Sequence, residues 1–130
     1  MSVLYTAHKV GQPGVKGGGI PLYRAGIVYR GTITYKQLIK QIESSSLVDG
    51  ADVVAVVYHL RRLLEHYLSY GYIVMLDEFG TFLPYIQSRT CQDPHQVNES
   101  LIKRMKIGFR PCPQLERAMF NASFTKARKK

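Results

Sequence analysis

The sequence predicts an α+β fold. Two helices precede a three-stranded antiparallel sheet with a projecting β-arm, and a short helix follows. Three observations carry the prediction. The stretch from Asp49 to Tyr70 reads as one long amphipathic helix, Gly71 to Phe82 as a hairpin entered from it, and Lys106 to Pro111 as a strand returning to the same core. Between hairpin and returning strand lie 23 mostly polar residues, Leu83 to Met105, which suit an arm held away from a small body.

Residues 1–31 differ in character and read as an N-terminal extension. Val3-Leu4-Tyr5-Thr6-Ala7 and Leu22 to Tyr29 have strand composition. Gly11 to Gly19 joins them with five glycines and one proline. A phosphate-binding loop needs Gly-Lys-Ser/Thr opening a helix, but Lys16 is followed by Gly17, so this stretch reads as a flexible connector.

The first helix starts near Thr34, where Thr34 and Gln37 match a capping box. Leu38, Ile39 and Ile42 form its apolar face, and Ser44-Ser45-Ser46 ends it because hydroxyls compete for backbone hydrogen bonds. In the second helix Asp49 is the expected N-cap and Asp52 puts negative charge in the first turn. Val53, Val56, Val57, Leu60, Leu63, Leu64, Tyr67 and Leu68 follow helical spacing, and Gly71 suits the left-handed position after the last turn. So wide an apolar face exceeds what a small body covers alone, which points to a dimer.

Ile73, Val74, Met75 and Leu76 make a strand apolar on both faces, as in a sheet lying between helices. Gly80 supplies an unusual dihedral at the turn into the next strand. Pro113 opens the third helix, whose apolar face is Leu115, Ala118, Met119 and Ala122. The tail from Lys126 to Lys130 is basic and expected to be mobile.

At 130 residues the chain is expected to be one domain with short extensions. It has no apolar run long enough to span a membrane, and its start lacks the order of a signal peptide. Cys91 and Cys112 lack metal spacing and read as free thiols. The net charge of +9 is unevenly spread. Residues 1–34 hold four bases and no acid, residues 35–82 four bases and six acids, and residues 83–130 ten bases and three acids. Basic flanks around a mildly acidic centre favour a polyanionic partner such as nucleic acid.

The order helix, turn, long helix, hairpin, arm, strand, short helix resembles the HU and integration host factor family. Thr34-Tyr35-Lys36-Gln37-Leu38-Ile39 matches that family's first-helix opening. Phe79-Gly80-Thr81-Phe82 matches its Phe-Gly-Thr-Phe signature, and Phe109-Arg110-Pro111 its Phe-Arg-Pro-Gly form. The extension with Tyr29-Arg30-Gly31-Thr32 resembles an extended, histone-like branch. The resemblance spans residues 32–124, leaving the extension at 1–31 and a basic tail at 125–130.

The resemblance implies an intertwined HU-like homodimer at the bacterial nucleoid, in the cytoplasm. It would bind double-stranded DNA largely without reading base sequence, its arms reaching around the duplex with a proline wedge at each tip. Carried onto this sequence, the expected DNA contacts are Lys36, Arg89, Lys103, Arg104, Lys106 and Arg110, with Pro94 as the wedge. Strand alternation puts Arg104 and Lys106 on one face and Lys103 on the other. The arm tip departs from the pattern. Cys91-Gln92-Asp93-Pro94-His95 stands where relatives carry Arg-Asn-Pro, and from Gln87 to Ser100 Arg89 faces Asp93 and Glu99, a balance of −1. A carboxylate near phosphates is repelled. Glu116 falls on the last helix, where relatives often carry lysine.

No enzyme is expected, nor a metal, cofactor, small-molecule substrate or membrane partner. His59 and His66 lack a further ligand at metal spacing, and the adjacent Asp77 and Glu78 point to opposite sides of a strand. Two other readings remain. One keeps the HU fold as a dimeric protein-interaction scaffold with weak or no DNA binding, favoured by the near-neutral arm. The other is an RNA-binding protein using some of its nine tyrosines, although no recognition motif sets them on one sheet face.

Overall fold

A computed structural model describes residues 1–12 and 14–128. Pro13 of the glycine-rich loop and Lys129 and Lys130 of the tail lie outside the described residues. Among the described residues there are three α-helices and six strands, in two three-stranded sheets. Residue contacts divide the chain into two compact units, residues 36–117 and residues 1–35 with 118–130.

The larger unit contains most of helix α1 (Tyr35–Ser45), then α2 (Gly50–Ser69), β3 (Val74–Leu76), β4 (Gly80–Ser88) and β5 (Ile102–Pro111), and the start of α3 (Pro113–Phe120). The serine run ends α1 as expected. Ser45 Oγ donates to the Gln41 carbonyl at 2.7 Å and Ser46 Oγ to the Ile42 carbonyl at 2.6 Å. Asp49 caps α2, its carboxylate accepting from the Ala51 N–H at 3.4 Å. At the other end Gly71 takes φ +89°, and its N–H reaches the Leu68 carbonyl at 3.0 Å. The Tyr72 N–H reaches the Tyr67 carbonyl, also at 3.0 Å. The two bonds make a Schellman motif, and Tyr72 packs edge-on against Tyr67 across it. This closure aims the chain from α2 into β3.

Sheet order is β3-β4-β5, all antiparallel. Phe79 N–H bonds the Leu76 carbonyl at 2.9 Å and closes the β3–β4 turn. Gly80 opens β4 at φ +151°, where a Cβ would sit 2.1 Å from the Arg110 carbonyl oxygen, so glycine is required by both conformation and space. Cys112, nearly buried, ties the start of α3 to this turn through its N–H to the Phe79 carbonyl at 2.8 Å.

The arm is longer in β-structure than its polar composition suggested. β4 continues to Ser88 and β5 begins at Ile102, so only residues 89–101 form the connecting loop. Pro84 is tolerated because β3 pairs only with residues 80–82, leaving that edge of β4 open.

The smaller unit is a sheet of order β2-β1-β6, with β1 (Val3–Val10), β2 (Leu22–Val28) and β6 (Phe124–Lys126). β1 runs three residues beyond the expected Ala7. The short β6 was not expected. It pairs in parallel with β1, with the Val3 N–H on the Ser123 carbonyl at 2.7 Å and the Ala127 N–H on the Tyr5 carbonyl at 2.8 Å. Lys126, the first residue of the expected mobile tail, is therefore a strand residue. α3 stops at Phe120, so Ala122 does not belong to its apolar face.

Candidate nucleic-acid interface

The β4–β5 ladder sorts its side chains onto two faces. Phe82, Pro84 and Ile86 lie opposite Phe109, Ile107 and Met105, and the Phe82 and Phe109 rings meet at 4.9 Å. Directly paired residues share a face and neighbours along a strand alternate. The other face therefore carries Arg104, Lys106 and Arg110, paired with Gln87, Tyr85 and Thr81. At the arm's outer end the register shifts. Gln87 pairs with Arg104 but Ser88 with Ile102, so Lys103 is the extra residue of a β-bulge. Strict alternation, which set Lys103 opposite Arg104, stops there, since a bulge re-aims its side chain.

Among the described residues the one ion pair is Arg61 with Glu65 on α2, so no carboxylate neutralises these four cations. The result is a row of positive charge along one face of β5.

The remaining expected residues stand elsewhere. Lys36 is exposed in the first turn of α1. Arg89 is at the start of the arm loop, where its guanidinium donates to the Ser100 carbonyl at 2.7 Å and its N–H to the Leu101 carbonyl at 2.8 Å. It thus clasps the two sides of the loop together. Pro94 opens a single 3-10 turn, Pro94–Gln96. Asp93 caps that turn, its carboxylate accepting from the His95 N–H at 3.0 Å. A second turn, Glu99–Leu101, is capped by Asn98 on the Ser100 N–H at 2.9 Å. The tip's acid therefore has a local job, satisfying backbone donors. Tyr85 and Gln87 share the basic face and were passed over in the sequence; counting alternate positions from Thr81 would have found them.

The opposite, apolar face borders a groove of about 520 Å³ between β4–β5 and α2, lined among others by Leu64, Leu68, Phe82, Pro84, Met105 and Ile107. In residues 36–117 the buried apolar side chains are Leu68 and Cys112 alone. Val56 of α2 is 66% exposed and Ile107 of β5 65%. No described helix is long and apolar enough to cross a membrane, and the described residues hold no cluster of three metal-ligating side chains.

Residues 1–126 match a family described as HU-HIG, "HU domain fused to wHTH, Ig, or Glycine-rich motif". No curated protein matches the chain. Among solved structures, a crystal structure from Bacteroides vulgatus ATCC 8482, described as a "putative bacterial DNA binding protein", superposes with a TM-score of 0.64 at 7% identity. The match covers 98% of this chain and 49% of that one, so this chain spans about half the length of the protein it matches. At that identity the likeness is one of fold.

Proposed function

The chain belongs to the HU-HIG family, and from that premise we propose that it is an architectural protein binding double-stranded DNA as a homodimer. Contact is largely independent of base sequence, and residues 32–124 are the binding module. The observation that carries the reading is the unpaired row Arg104, Lys106 and Arg110 on one face of β5, extended by Lys103 at the bulge. Each cation laid on a phosphate releases counterions, which supplies affinity without reading sequence. Arg89 and Lys36 add charge at the arm loop and on α1. Pro94 is the residue proposed to wedge between base steps from the minor groove and bend the duplex toward the major groove. A protein so equipped acts at the nucleoid, and no catalytic step is assigned to it.

Dimerisation is supported by exposure. Val56 at 66%, Leu63 at 53% and Ile107 at 65% are apolar side chains that a single chain leaves to water. Burial of such surface is worth roughly 25 cal/mol per Å², enough to drive association when it is contiguous. Sedimentation should give about twice the 14.8 kDa chain mass.

The decisive experiment titrates labelled duplex, straight and pre-kinked, across several salt concentrations. Affinity should fall with a log–log slope of about −0.9 per phosphate contacted. A flat response would sink the DNA reading. The scaffold reading draws on the arm loop, whose balance is −1 and whose single base is engaged with the Ser100 carbonyl. Under it, loss of residues 1–30 removes a protein partner; under the DNA reading most duplex affinity survives that loss.

A further inference from the structure

Strand register places three aromatic rings on one face of the N-terminal sheet, with Tyr23 and Phe124 toward opposite ends of β1, roughly 20 Å apart along it. Tyr5 of β1 lies beside Ile27 of β2 and Lys126 of β6, Lys9 beside Tyr23, and Val3 beside Phe124. Paired residues share a face and alternate positions along β1 return to it, so Tyr5, Tyr23, Phe124, Lys9 and Lys126 stand on the same side. Tyr23 and Phe124 are each 66% exposed. Tyr5 and Phe124 are diagonal neighbours on adjacent strands.

The charge of this unit is one-sided. Its described residues include Lys9, Lys16, Arg24, Arg30, Lys126 and Arg128, and neither segment of the unit contains an Asp or Glu. A face with two exposed rings and the half-buried Tyr5, flanked by lysines in a unit without Asp or Glu, is complementary to a polyanion with flat apolar groups. Duplex DNA satisfies only half of that description, because its bases are already stacked on one another. An acidic peptide offers charge but few flat faces. A single nucleic-acid strand offers both, and base–aromatic stacking on a basic surface is how sequence-tolerant single-strand binding is built.

We propose that the face of β2-β1-β6 binds single-stranded nucleic acid, with bases stacked on Tyr23, Phe124 and Tyr5 and the phosphates held by Lys9 and Lys126. The site uses no residue of β5 or the arm, so it stands or falls independently of the duplex reading.

The test uses the full chain and a labelled oligothymidylate of about 15 nucleotides, with an oligouridylate alongside. The double variant Tyr23→Leu, Phe124→Leu keeps apolar bulk and removes the rings. It should bind the oligonucleotide roughly tenfold or more weakly, with duplex affinity and the far-UV circular dichroism unchanged. Excess duplex should leave the single strand bound. A preference for either sugar supports the proposal. Unchanged single-strand affinity in the variant overturns it, as do parallel loss of both ligands, displacement by duplex, or competition by heparin equal to that of the oligonucleotide. If the ring variant does not fold, Lys9→Gln with Lys126→Gln carries the test. Its salt slope for the single strand should be shallower by about 0.7 per lysine removed, and an unchanged slope overturns the proposal.

Discussion

Residues 36–117 and the terminal sheet unit carry charge in opposite ways. The first holds all nine acidic residues and ten of the 18 basic ones, a balance of +1. The second holds the other eight bases and no acid. The Phe79-Gly80-Thr81-Phe82 and Phe109-Arg110-Pro111 motifs, the hairpin and the arm all lie in the nearly neutral region. What concentrates positive charge there is placement. Alternation along β5 puts Arg104, Lys106 and Arg110 on one face while the apolar side chains take the other. In the terminal unit number alone makes the surface positive, and register decides only which rings accompany it. Screening sharpens the distinction, since exposed charges act over about 8 Å at physiological salt. Net charge of the whole chain therefore says little about where positive charge is concentrated.

The largest test of this contrast replaces Arg104, Lys106 and Arg110 with glutamine together. Duplex affinity should fall roughly a hundredfold or more, since hydrogen bonds to charged groups are worth about 1.5–3 kcal/mol each. The salt slope should lose about 0.9 for each cation removed. Glutamine at Lys9, Arg24 and Lys126 removes the same charge from the other unit and should weaken duplex binding far less. Equal losses in filter binding would show that the amount of charge governs, and not its placement.

Next in size is Gly80→Ala. Its positive φ and the 2.1 Å approach to the Arg110 carbonyl oxygen should destabilise the hairpin by about 3 kcal/mol, read as a lower denaturation midpoint. The effect would show how far the charge row on β5 depends on exact strand position. Asp49→Ala should cost about 1 kcal/mol by removing the cap of α2. The smallest effect concerns the arm loop. Asp93→Asn keeps a capping side chain but removes the charge, and should tighten duplex binding by about twofold with no change in melting. Weaker binding in fluorescence anisotropy would mean that the carboxylate is not opposing the phosphates.

The elements legible in the sequence were those specified by near neighbours. The Asp49 cap, the apolar stripe of α2 and the glycine at position 71 lie within one helix and its ends, and the structure places each where local physics requires. The Gly80 turn was legible for the same reason. Of the candidate site, Arg104, Lys106 and Arg110 follow from the two-residue period of a strand. Lys103 did not, because a bulge is a relation between two strands. The arm loop's turns were also missed: Asp93 and Asn98 read as polar residues until their caps on His95 and Ser100 are seen.

The sequence by itself determined the helices, the hairpin, the arm's position and the uneven charge, since these depend on periodicity, caps and composition over a few residues. Only the tertiary structure decided that β6 joins β1 across more than a hundred residues of chain. Three residues, Phe124 to Lys126, carry no local signal strong enough to call them a strand. Their conformation is fixed by the backbone donors and acceptors of Val3 and Tyr5, and it is that pairing which brings Phe124 and Lys126 onto the same face as Tyr5.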